Sequence, residues 1–344
     1  MEDLKKLDFK EISHVIENLK EPAYRAKQIY EWIHIKHISD FKEMNNVPSE
    51  LKKKLAKEYY ISGLKEVMFK ESPIDGTRKY LFKLDDGNII ESVFMRYKHG
   101  NSVCISSQVG CRMGCTFCAS TLGGLVRNLT NAEMLAQVYS IGRSVGERIS
   151  NIVIMGVGEP MDNYENIVSF VHMISDIHGL NISQRNITIS TCGIVPQIKK
   201  LADEKLSVTL ALSLHAPDNN TRKRLMPVAE IYDINEVLDA CSYYFKKTGR
   251  RVSFEYALVA GVNDSKQEAY KLIKLIKNQK AHVNLIPVNP IEERQYRQSD
   301  KKKAEAFKNL LLKAGINTTI RREMGRDIDG ACGQLRRHYE DGII

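Results

Sequence analysis

Over residues 1–60 the apolar positions recur three and four apart, the period of a helix with one buried face. In EPAYRAKQIYEWIHIK (21–36), Ala23, Ile29, Tyr30 and Ile33 fall near helical spacing. VPSELKKKLAKEY (47–59) restarts the pattern after Pro48, with Ser49 as the expected N-cap. From residue 77 the period drops to two. TRKYLFKL and NIIESVFM alternate on either side of Asp85-Asp86-Gly87, which reads as a hairpin. The expected layout is a helical N-terminal domain over 1–70 and a β-hairpin extension over 71–98.

Beyond about residue 99 short apolar runs alternate with longer amphipathic ones. The runs SVCISSQ, NIVIMG, RNITIST, SVTLALSL, RVSFEYALV and HVNLIPV read as strands. NAEMLAQVYSIGR, ENIVSFVHMISDI, IVPQIKKLADE, INEVLDACSYYFKK and KQEAYKLIKLIKN read as the helices between them. Strands separated by helical crossovers form a parallel sheet, since each return needs a dozen or so residues. Six units are too few for a closed eight-stranded barrel, so the fold class is α/β with a partial (β/α)6 barrel over 99–344. Functional residues then belong at the C-terminal strand ends. There is no internal repeat and no low-complexity segment.

Composition changes this picture little. Hydrophobic residues make up 43% and charged residues 27% of the 344, enough apolar surface for a sizeable core. Apolar runs such as NIVIMGVG are too short to span a membrane, and MEDLKKLDFKEI lacks a signal-peptide core, so a cytoplasmic address is expected. The net charge of +9 permits attraction to phosphate without demonstrating it. Part of the excess is clustered at Lys52–Lys54 and at Arg321, Arg322, Arg326, Arg336 and Arg337. Solvated faces are the alternative reading of both clusters.

The seven cysteines carry more information. An odd number without a secretion signal argues for metal or redox chemistry over a disulfide framework. Cys111, Cys115 and Cys118 form a C-x3-C-x2-C array just after the first barrel strand. Three thiolates on one loop can hold three irons of a [4Fe–4S] cluster and leave the fourth iron without a protein ligand. A structural zinc site is the alternative, and it needs a fourth Cys or His nearby. None follows before His172.

This array resembles that of the radical S-adenosylmethionine (SAM) superfamily, and Gly156-Val157-Gly158-Glu159-Pro160 resembles that superfamily's GxGEP element. CISSQVGC (104–111), SLHAP (213–217), NLIPVNP (284–290) and DIDGACGQL (327–335) are similar to stretches of the dual-specificity 23S rRNA and tRNA adenine-C2 methyltransferases. The resemblance covers nearly the whole chain. It implies a [4Fe–4S] cluster on Cys111, Cys115 and Cys118, and two SAM molecules per turnover. One methylates Cys332; the other gives a 5′-deoxyadenosyl radical that activates the S-methyl group for addition to C2. It further implies Glu91 as the base that removes the C2 proton and Cys104 as the thiol that releases product by forming a disulfide bond. SAM contacts are implied at Gly158, Glu159, Ser190, Ser213, Leu214, His215 and Asn289. Implied partners are 23S rRNA, tRNA and a flavodoxin-type electron donor, with no membrane and a monomeric enzyme. The N-terminal helices would be the RNA-binding accessory domain. Cys192 has no matched role, and Cys241, beside apolar helix positions, reads as core.

Three rival readings follow from the same motifs. A Cfr-type enzyme would methylate C8, although NLIPVNP and GEPMDN look more like the C2 group. A metal-stabilised RNA-binding protein would do no chemistry. A radical SAM activase acting on a protein would leave Cys104 and Cys332 without work.

Overall fold

Chain entry is set by a capping box: Asp8 accepts from the Glu11 N–H at 2.9 Å, and Glu11 accepts from the Asp8 N–H at 2.7 Å. In the computed structural model, which describes residues 1–291, 294–328, 333–340 and 342, this opens α1 (Phe9–Asn18). It is followed by α2 (Tyr24–His34) and α3 (Ser49–Glu58). These helices close over a core of their own that includes Ile12, Ile16, Ile29, Tyr30, Ile33, Leu51 and Leu55. Two sequence expectations shift. Ala26 rather than Ala23 lies on the buried face of α2. Ser49 is the first helical residue behind Pro48 and makes no cap bond.

The main sheet has ten strands: β1 (Lys65–Glu71), β2 (Arg78–Lys83), β3 (Ile89–Tyr97), β4 (Gly100–Cys104), β5 (Ile149–Ile154), β6 (Ile187–Thr191), β7 (Thr209–Ser213), β8 (Val252–Leu258), β9 (Ala281–Pro287) and β10 (Thr318–Ile320). Their spatial order is their chain order. β1 to β4 pair antiparallel, and β4 through β10 run parallel. The hairpin around Asp85–Gly87 is therefore two strands of a three-stranded antiparallel extension that continues the barrel sheet. Its first strand, Lys65–Glu71, begins inside the stretch expected to be helical, and a seventh, short parallel strand follows the six read from the sequence.

Between the parallel strands run α4 (Asn131–Val145), α5 (Tyr164–Ile174), α6 (Val195–Asp203), α7 (Asn219–Leu225), α8 (Ile234–Thr248), α9 (Lys266–Ile276) and α10 (Lys301–Lys313), with α11 (Gln334–Glu340) after β10. The strands and most of these helices share one apolar core, to which Ile152, Ile154, Phe170, Leu210, Cys241 and Phe254 belong. The helical body docks on α4. His34 Nδ1 lies 2.8 Å from the Tyr139 hydroxyl, and His37 stacks on that ring at 4.3 Å. Burial pushes the His34 pKa down to about 3, so the ring is neutral in this joint.

Candidate active site

The cysteine loop is built by its backbone. Gly110 sits at φ +76°, and a Cβ there would lie 1.9 Å from the Gly124 carbonyl oxygen, so only glycine fits. Cys111 N–H then donates to that same carbonyl at 2.8 Å. Thr121 Oγ1 donates to the carbonyls of Cys115 and Cys118 at 3.1 and 2.9 Å. Thr116 N–H donates to Leu225 O at 2.9 Å, tying the loop to the end of α7. Arg112 pairs with Asp162 on the opposite flank.

Cys111 and Cys115 are buried and Cys118 is partly so. Burial pushes the Cys111 thiol up to about 12 and raises Cys115 well above its ordinary value; the neighbouring thiols and Glu159 add to both. The fully buried Arg222 lies close enough to pull Cys115 the other way, and its guanidinium donates to Cys192 O. Such thiols become thiolates when a metal draws their protons off. The donor set, three thiols on one loop, would suit three irons of a [4Fe–4S] cluster.

Beside the loop, at the C-terminal strand ends, lies a cavity of about 370 Å³, within the ordinary range for a small-molecule site. It brings together Cys104, Cys118, Ser190, Ser213, His215 and Asn289, residues spread over 186 positions of sequence. His215 is set by its backbone, at φ +53°. Its Nδ1 accepts the Ala257 N–H at 2.9 Å, which leaves the neutral ring its proton on Nε2, while burial lowers its pKa to about 3. Ser190 Oγ donates to Ile154 O at 2.8 Å.

Gly158, Glu159 and Leu214 lie outside the cavity wall. Leu214 packs in the main core. Glu159 is buried and accepts the Met161 and Cys192 N–H groups at 3.0 and 2.8 Å, stapling the ends of β5 and β6 together; burial raises its pKa against those bonds. Cys192, without a role in the sequence, thus sits buried between Glu159 and Cys115.

Glu91 is neither exposed nor on the cavity wall. It is 3% exposed, faces the fully buried Lys79 on β2 at 3.3 Å, and accepts the N–H groups of Gly333 and Arg336. Cys332 lies outside the described residues. Its neighbour Gly333 packs against the cysteine loop: a Cβ there would come within 3.0 Å of Ser120 N. No disulfide joins two described residues.

The cavity wall also holds residues that the motifs did not point to. Glu255 on β8 is buried, accepts from Ser253 and Asn284, and has its pKa raised by burial. Met95 and Val93 alternate into the wall from β3, and Arg321, Arg322 and Arg326 enter it after β10. Period-two alternation in IIESVFM was the signal for the first pair; the arginines had only their clustering. Lys53 and Lys54 are paired with Glu50 and Glu21, at 2.9 and 2.8 Å, and Lys52 reaches Met44 O at 3.3 Å. No described helix is long and apolar enough to cross a membrane.

The family model described as Radical SAM superfamily matches residues 105–273, and that of the Ribosomal RNA large subunit methyltransferase N-terminal domain matches residues 2–61. A probable dual-specificity RNA methyltransferase RlmN of Lachnoclostridium phytofermentans is 59% identical over 98% of this chain and 95% of its own length. That of Lachnospira eligens is 57% identical, covering 100% and 98%. The crystal structure of a radical SAM methyltransferase from Sphaerobacter thermophilus superposes with a TM-score of 0.93 at 40% identity, covering 97% of this chain and 99% of that one.

Proposed function

The chain belongs to the RlmN family of dual-specificity RNA methyltransferases, within the radical SAM superfamily, and from that premise we propose that it methylates C2 of adenine in 23S rRNA and, next to the anticodon, in tRNA. Its first and last segments serve that one reaction. The helical body and the basic cavity mouth receive folded RNA, whose target base is unstacked to reach the cavity.

C2 of adenine is an electron-poor carbon, so direct polar transfer of a methyl cation from a sulfonium does not reach it. A [4Fe–4S] cluster held by Cys111, Cys115 and Cys118 would supply one electron to a SAM chelated beside it, and with it the radical chemistry that such a carbon requires. Ser190, Ser213, His215 and Asn289 line the cavity that would take SAM, His215 offering a neutral Nε2–H donor. Gly158, Glu159 and Leu214 act from behind, Glu159 by fixing the β5 and β6 ends. The Cys332 thiolate accepts a methyl group from one SAM: a sulfur–carbon bond forms as the sulfonium bond breaks. The S-methyl group gives up one hydrogen atom to the radical that the bound cluster and the other SAM would supply, and its carbon adds to C2. Glu91 takes the C2 proton, and the electron left on the ring would pass back to the oxidised cluster. Cys104 then attacks the Cys332 sulfur. The sulfur–carbon bond breaks, a disulfide forms, and the electron pair stays on carbon, which a proton completes to a methyl group. An external reductant, of flavodoxin type for the cluster and a thiol for the disulfide, resets a monomeric enzyme.

The observation that most supports this reading is the packing of Gly333, next to Cys332, on Ser120, two residues past Cys118, beside a cavity that Cys104 also lines. The test is mass spectrometry of RNA treated with anaerobically reconstituted enzyme. The expected product is 2-methyladenosine; 8-methyladenosine in its place would overturn the assignment.

A further inference from the structure

Just outside the cavity the chain buries an ion pair. Lys79 is fully buried near the start of β2, and its ammonium faces Glu91 Oε2 on β3. Two buried charges persist only when paired and when their remaining hydrogen-bond directions are filled. On the Glu91 side the last helix fills them. Glu91 Oε2 accepts the Gly333 N–H at 2.6 Å and Oε1 accepts the Arg336 N–H at 2.5 Å, two of the donors that a helix start leaves without intrahelical partners. Three of a carboxylate's roughly four acceptor directions are thereby in use. Leu335, on the same turn, is fully buried against Leu81 and Ile89 of β2 and β3. From the other side Gly333, at φ +80°, abuts Ser120 so closely that a side chain would make a tight contact with it, a Cβ lying 3.0 Å from Ser120 N. The turn that follows Cys332 is thus clamped between the antiparallel extension and the cysteine loop.

We infer that Lys79 is a positioning residue and that Glu91 has a duty before proton removal: the buried pair docks the start of α11 and so presents Cys332 for its own methylation. This rests on the reading of Cys332 as the methyl carrier. The two duties of Glu91 follow one another. A carboxylate that takes the C2 proton becomes neutral, and its charge-assisted bonds to the two amides and to Lys79 weaken. The proton leaving the base therefore loosens the dock of the segment that Cys104 must next attack, so chemistry on the RNA frees the thioether for cleavage.

Hydrogen exchange at the Gly333 and Arg336 amides of the RNA-free protein tests the dock directly. Weakening these charge-assisted bonds, in E91Q at the acceptor itself and in K79M at the cation that holds the acceptor in place, should speed exchange about tenfold or more. K79R should restore the wild-type rate, with amides of β6 and β7 unmoved in every variant. Methylation of Cys332 by SAM without RNA, followed by mass spectrometry in reconstituted protein, should slow by a similar factor in K79M. Should K79M fold poorly, K79M/E91Q leaves no lone charge buried and should show the same fast exchange. Unaltered exchange at both amides in K79M and E91Q overturns the proposal, because Glu91 would then serve as a base alone. Fast exchange in the variants, with Cys332 unmethylated even in the wild type, supports the dock and instead overturns the reading of Cys332 as carrier.

Discussion

Two cysteine-bearing segments, the loop of Cys111–Cys118 and the stretch that leads into α11, are held by opposite means. The loop of Cys111–Cys118 is fixed by its own backbone, through Gly110 under the Gly124 carbonyl, Thr121 on the carbonyls of Cys115 and Cys118, and Thr116 on α7. The turn behind Cys332 is held by a side-chain charge, the Glu91 carboxylate on two amides with Lys79 beneath it. A cluster that has to keep its geometry through many turnovers would call for the first arrangement. On the relay proposed above, a thiol that meets SAM, then RNA, then a second thiol would call for the second, since one proton can weaken it.

The sharpest way to break this contrast is to remove one sulfur from each segment. Cys115→Ala should abolish iron–sulfur absorbance, SAM cleavage and RNA methylation together. Cys332→Ala should abolish RNA methylation while the cluster and reductive cleavage of SAM survive, read as 5′-deoxyadenosine by chromatography. Full methylation by Cys332→Ala would remove the relay, and with it the reason for a releasable dock.

The sequence carried the first segment well and the second poorly, for physical reasons. A three-cysteine loop after a strand is a local pattern, and strands alternating with helices are periodic, so both the loop and the parallel barrel could be read from composition and spacing. Glu91 could not. Its alternation in IIESVFM assigns it a face of β3, but nothing in that period tells that α11, some 240 residues later, will cover that face. Lys79 was equally silent, because a lysine in a hairpin ordinarily points to water. The seventh parallel strand, Thr318–Ile320, has three residues, too few to show a period. Glu255 entered the wall from a strand in which the motifs singled out no residue. Family resemblance supplied roles for Cys104, Ser190 and His215, and the fold brings them to one cavity; spacing alone gave no hint that positions so far apart would meet.

A smaller effect separates the two segments without touching their sulfur. Gly110→Ala forces a Cβ into a backbone carbonyl, which cannot give way as a side-chain tip could. It also holds alanine in the left-handed region at a cost of about 1–2 kcal/mol. Iron content after reconstitution should fall several-fold. Gly333→Ala meets a similar conformational cost but disturbs only the dock on Ser120. Iron content and the thermal midpoint should hold, while RNA methylation slows by about tenfold, the equivalent of a kcal/mol or so at one contact. If both variants lost iron alike, the two segments would be one folding unit and the contrast would fall.

The mildest test asks which surface meets the RNA. Arg321, Arg322 and Arg326 stand in the cavity wall on the stretch leading to the docked turn, and all three are exposed, Arg326 paired with Glu323 at 3.3 Å. Lys53 and Lys54 are already matched to Glu50 and Glu21. Exposed pairs of that kind hold by only about 0–1 kcal/mol, so the lysines can still turn to phosphate, but each leaves a partner to do so. Each phosphate neutralised adds about 0.7–0.9 to the slope of log affinity against log salt. R321A/R322A should therefore flatten that slope by about 1–2, and K52A/K53A/K54A by less, with SAM cleavage unchanged in the lysine variant. A steeper loss from the lysines would put the main footing for RNA on the helical body, and the releasable segment would then move against RNA that is anchored elsewhere.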